Sequence, residues 1–75
     1  LPTPDGLAIN KALDDRRAQA ANLANLGLIA EAGGKLDDAH LNFQAALELD
    51  KAAENRSAIA ADLSGLARVS EEQNR

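Results

Sequence analysis

The sequence predicts an all-α chain built of antiparallel helix hairpins, and three observations predict it. Ala and Leu dominate the apolar residues, and both are strong helix formers. Apolar positions recur at helical spacing, as in Leu23, Leu26, Ile29 and Ala30. The chain also repeats itself after 40 residues, pairing Leu7 with Leu47, Lys11 with Lys51, Arg16 with Arg56, Leu23 with Leu63, Leu26 with Leu66 and Glu31 with Glu71. Chance would bring Ala under Ala in so Ala-rich a chain, but not the Leu, Lys and Arg pairs as well. A fixed period of this length marks helix pairs stacked into a solenoid.

Each element is set by period and punctuation. Pro2 and Pro4 hold the first residues extended. Residues 7–14 correspond, by the repeat, to the tail of a second-type helix from a preceding unit, which predicts a short N-terminal helical segment. No Gly or Pro other than Gly27 separates Leu7 from Ala30, so this segment is either a separate short helix or a continuous extension of the next, and a break near Asp14-Asp15 is the favoured of the two. Asp15 is then the N-cap of an amphipathic helix over about 16–32, its carboxylate accepting from free N–H groups of the first turn. Gly33-Gly34 stops that helix by permitting a left-handed conformation. A second helix runs from Leu36 to about Leu49, with Leu36, Ala39, Phe43, Ala46 and Leu47 on one stripe. Asp37 and Asp38 lie in its first turn, where negative charge complements the helix dipole. Asn55 repeats the Asp15 cap and opens a third helix over about 56–72.

Composition narrows the function classes. At 75 residues the chain is one small domain with a limited core. It has no cysteine, which excludes a disulfide framework and a thiolate metal site. Net charge is −4 with both signs interspersed, so no basic stripe invites nucleic acid or an anionic membrane. No apolar run reaches the length of a membrane span, and a soluble chain is expected, with the cytoplasm the favoured compartment. The start at Leu1 without Met reads as an excised fragment or a processed product.

Residues 20–49 carry a resemblance. Ala20, Leu23, Asn25-Leu26-Gly27, Ala30, Gly34, Ala39, Phe43 and Ala46 fall where the tetratricopeptide repeat places its small, leucine and aromatic residues. The likeness covers about 16–50 as one full unit and 56–75 as half of another. It divides the chain into a preceding tail (1–14), a full repeat (15–54) and the first helix of the next (55–75). The 40-residue spacing and Asn-Leu-Gly resemble the long variant found in kinesin light chains, spindle-orientation adaptors and bacterial regulators. Ala30 replaces the family's usual aromatic, Lys51 stands where Pro is common, and the second unit reads Gly65-Leu66-Ala67 without the Asn. Physically, Gly27, Ala39 and Ala46 let antiparallel backbones approach, and Phe43 belongs to the core.

That resemblance implies a protein-binding scaffold with no catalytic role and no cofactor. Its concave face maps to Ala21, Ala24, Asn25, Leu28, Glu31 and Ala32 on the first helix, and to Ala61, Ser64, Arg68, Glu71 and Glu72 on the third. Asn25 can donate to and accept from a bound peptide backbone at once, and Arg68 can pair with a carboxylate or phosphate. Packing and solvation account equally for both. Ala24 and Leu28 occupy positions that the carboxylate-gripping members give to Lys and Asn, which disfavours that specialised role. Asp37 and His40 share a helix face, but two donors make a poor metal site. Asp14-Asp15 and Glu71-Glu72 are sequence neighbours that point to different sides, so they do not form an acid–base pair. No nucleophile pattern, phosphate loop or dinucleotide fingerprint is present.

Three functions are expected. The first is an interaction module that binds a peptide or helix in the groove. The second is homo-oligomerisation through exposed repeat ends, where Leu63, Leu66 and Val69 lack a covering helix. The third is a sensory or regulatory segment of a larger bacterial regulator.

Overall fold

The computed structural model describes the backbone of residues 4–75 and the side chains of residues 11–75. Three helices succeed one another: α1 Pro4–Ala32, α2 Leu36–Ala52 and α3 Arg56–Gln73. No strand occurs among the described residues, and no helix is long and apolar enough to cross a membrane. Residues 1–3, where the extended start at Pro2 is expected, lie outside the described residues. Pro4 itself opens α1, a position that tolerates its missing N–H.

The expected break near Asp14-Asp15 is not there. Helix α1 runs unbroken through it, and Asp15 is an interior residue and not a cap. The separate N-terminal segment is therefore part of α1. Lys11, Ala12, Leu13, Arg16 and Arg17 all favour helix, and extending an existing helix gains a hydrogen bond per residue. A turn would need a buried face to offset the loss of those bonds. Within residues 11–19 only Leu13 has even partial cover.

Both inter-helix turns have one geometry. After α1, Lys35 N–H donates to the Ala30 carbonyl at 2.8 Å and Gly34 N–H donates to that of Glu31 at 3.1 Å. After α2, Asn55 N–H donates to Asp50 at 2.9 Å and Glu54 N–H donates to Lys51 at 3.1 Å. This is the paired closure that puts one residue in the left-handed region. Gly34 takes that position at φ 76° in the first turn, and Glu54 takes it at φ 54° in the second. Glu suffers a steric penalty of about 1–2 kcal/mol there that Gly avoids. Asn55 then caps α3 as expected, its side chain accepting from Ala58 N–H at 3.5 Å.

Short turns make the successive helices antiparallel. α2 packs against both α1 and α3. Its stripe of Ala39, Phe43, Ala46 and Leu47 is buried, as the spacing predicts. The central cluster is Ala39, Phe43 and Val69, with Ala30, Leu36 and Leu66 packed around it. Phe43 fits because both neighbouring helices present a glycine to it. A Cβ on Gly27 would lie 3.0 Å from the ring, and one on Gly65 would lie 2.7 Å from it. Burying that ring contributes about 1.5–3 kcal/mol. The expectation of a poorly covered α3 holds for Leu63, which is exposed, and for half-buried Leu66. It fails for Val69, which is fully buried against α2.

Candidate functional site

Helices α1 and α3 both lie antiparallel to α2, so they run parallel to each other. Near the α1–α2 turn they leave a concavity of about 670 Å³, lined by Leu28, Glu31, Ala32, Gly34, Leu36, Arg68, Glu71 and Glu72. Leu28, Ala32 and Leu36 give it an apolar surface. Its charged wall is made across the two helices. Arg68 Nε donates to Glu31 Oε2 at 3.0 Å and its Nη2 donates to Glu31 Oε1 at 3.1 Å. This two-pronged pair fixes both side chains and ties α1 to α3. Its hydrogen bonds to Glu31 push Arg68 above its ordinary value.

Six of the residues expected on the concave face therefore meet here: Leu28, Glu31, Ala32, Arg68, Glu71 and Glu72. Asn25 and Ser64 do not line the concavity and stand exposed elsewhere on α1 and α3. The sequence leaves Arg68 available to a carboxylate or phosphate, but in the structure Glu31 already occupies it. Glu71 and Glu72 share Arg75 at 4.0 and 3.2 Å. All three are exposed, and such surface pairs contribute little.

Two smaller concavities flank this one. The first, about 460 Å³, lies over α1 and α2 and includes Leu26, Ile29, Ala30 and Leu41. The second holds Asp37, His40, Leu41 and Gln73. In it the Asp37 carboxylate accepts from Gln73 Nε2 at 2.9 Å, an interhelical tie between α2 and α3. No cluster of three or more His, Cys, Asp or Glu that could hold a metal occurs among the described residues.

Sequence reasoning misses Asp50 and Asp62. Each is 1% exposed, on facing sides of α2 and α3. Burial, with Asp50 as its neighbour, pushes Asp62 up to about 7, and Asp50 Oδ1 and Asp62 Oδ2 are buried without a hydrogen-bond partner. The signal is present in the spacing. Asp50 comes seven residues after Phe43 and four after Ala46, so it continues the buried stripe of α2. Asp62 precedes Val69 by seven on the buried face of α3. Neither stands out, because ionisable residues usually mark a solvated face.

The chain matches no protein-family model, no curated protein and no solved structure.

Proposed function

We propose that this chain is a non-catalytic protein-interaction module of the tetratricopeptide kind, whose concave face between α1 and α3 takes a peptide or helix from a protein partner. One observation carries the reading: a concavity with apolar Leu28, Ala32 and Leu36 beside the fixed Glu31–Arg68 pair. Apolar anchors in a partly charged recess supply the contact area and orientation that peptide recognition requires. Because Glu31 neutralises Arg68, the uncommitted charge at the rim is that of Glu71 and Glu72, shared with one exposed arginine. The matching partner is an apolar segment flanked by basic side chains. The test is an amide NMR titration with two peptides of equal length, one Leu/Lys and one Leu/Glu. The Leu/Lys peptide is expected to shift Leu28, Ala32, Leu36 and Arg68. Shifts confined to other faces, or none with either peptide, would reject the groove.

A second reading is self-association. The face of α1 and α2 turned away from α3 leaves Leu26, Ile29 and Leu41 exposed beside one another, and such patches mark association surfaces. Light-scattering mass is expected to rise with concentration, and a strict monomer at high concentration would remove this reading.

A further inference from the structure

We propose that Asp62, buried with Asp50 between α2 and α3, is a proton-operated latch, which holds the third helix docked while it keeps its proton and loosens it when it ionises.

The geometry demands a proton. Two ionised carboxylates are acceptors only, so neither can satisfy the other's buried oxygen unless one is protonated. Each residue is 1% exposed, and one oxygen of each, Asp50 Oδ1 and Asp62 Oδ2, is buried with no donor. The surroundings offer no counter-charge. Among the described residues, the others that are buried are Ala20 and Gly27 of α1, Ala39, Phe43, Ala46 and Leu47 of α2, Gly65 and Val69 of α3 and Ala53 of the turn, none of them charged. The charged residues on the flanking stretches are Arg16 and Arg17 of α1, Glu48 and Lys51 of α2, Glu54 of the turn, and Arg56 and Arg68 of α3. All are exposed, and none bonds to either aspartate. Two like charges confined this way cannot both persist without separating. Loosening α3 from α2 separates them and lets water reach both.

Burial sets the direction of the pH effect. Desolvation first, then the hydrogen bond that protonated Asp62 can donate to Asp50, then the charge of Asp50, push Asp62 up from 3.8 to about 7. The folded chain thus keeps a proton that the unfolded chain gives up near 4. The stability gained is complete below that point and is lost as the pH rises through 7. Between pH 5 and 8 the folding equilibrium falls by about a hundredfold through this group alone. The range brackets neutrality, so α3, which supplies Arg68, Glu71 and Glu72, is held more loosely on the alkaline side.

The chain's own repeat offers the control. At the positions equivalent to Asp50 and Asp62 it carries Asn10 and Asn22, amides that can donate without a titrating proton. The test is urea unfolding of the 75-residue chain at pH 5 and pH 8, in a His40→Gln background that removes the imidazole. The parent should lose about a hundredfold in its folding constant across that interval. Asp62→Asn should lose little, because its amide donates to Asp50 at every pH. A carboxyl NMR titration of the parent reads the group directly, with a midpoint near 7 expected for Asp62. A midpoint near 4, a parent whose stability is level from pH 5 to 8, or an Asp62→Asn variant that keeps the parent's slope would each overturn the latch.

Discussion

Lys51-Ala52-Ala53-Glu54-Asn55-Arg56 leaves α2 through a left-handed Glu54 and enters α3 under the Asn55 cap. Lys11-Ala12-Leu13-Asp14-Asp15-Arg16, at the same repeat positions, stays helical throughout. The two stretches share Lys, Ala and Arg and carry acidic or amide residues where the turn would fall. Local propensity does not separate them. The difference lies in the helix downstream of each. Beyond the second stretch, Asp62, Gly65 and Val69 are buried on α2. Their repeat counterparts beyond the first, Asn22, Asn25 and Ile29, are exposed, with Ile29 at 68% against 0% for Val69. A turn that strains Glu54 is stable only where the next helix gains a buried face. Where the next helix does not pack back on the segment before it, helix propagation wins.

The largest test removes that face. Gly65→Val sets a branched side chain where even a Cβ would lie 2.7 Å from the Phe43 ring. It should cost about 3 kcal/mol and strip amide-exchange protection from residues 56–73, while the α1–α2 hairpin persists. A lone helix of 18 residues is marginal in water, so α3 should melt. An α3 that stays protected would show that its turn does not depend on docking. Gly27→Ala tests the same ring from the α1 side. Its Cβ would stand 3.0 Å away, a smaller intrusion that should cost about 1–2 kcal/mol by urea denaturation.

The same substitution at the two junctions should have opposite signs. Glu54→Gly relieves a left-handed residue and should stabilise by about 0.5–1 kcal/mol. Asp14→Gly places glycine inside a helix and should destabilise by a few tenths of a kcal/mol, about the gap between Asp and Gly in helix propensity. Thermal melts of the two variants check this directly, and equal signs would mean that the junctions do not differ as described.

The two junctions also show what the residues can and cannot disclose. Helix α2 is legible along its length, because Leu36, Ala39, Phe43, Ala46 and Leu47 keep a helical period and Gly33-Gly34 announces the turn before it. The Asn55 cap and the close approach at Gly27 are legible for the same local reasons. The run of α1 through Asp15 is not, since an Asp in mid-helix and an Asp at a cap look alike until the tertiary cover is known. Within the concavity, helical spacing places Leu28, Glu31, Arg68 and Glu71 on facing sides. It cannot show that Glu31 and Arg68 satisfy each other across 37 residues of chain. The buried aspartates are hidden by their charge.

The smallest effect is at the caps. Asn55→Ala removes the acceptor for Ala58 N–H. At 3.5 Å that bond is long, so the loss should fall near the low end of cap substitutions, about 0.5 kcal/mol. Asp15→Ala, at the equivalent position, removes no cap and exchanges a poor interior helix former for the best one. It should stabilise by a few tenths of a kcal/mol, about half the propensity range between these residues. Urea midpoints of the two variants would therefore move in opposite directions from the parent. A loss at Asp15 as large as that at Asn55 would mean that Asp15 caps a helix in solution, and that α1 turns there as α2 does before α3.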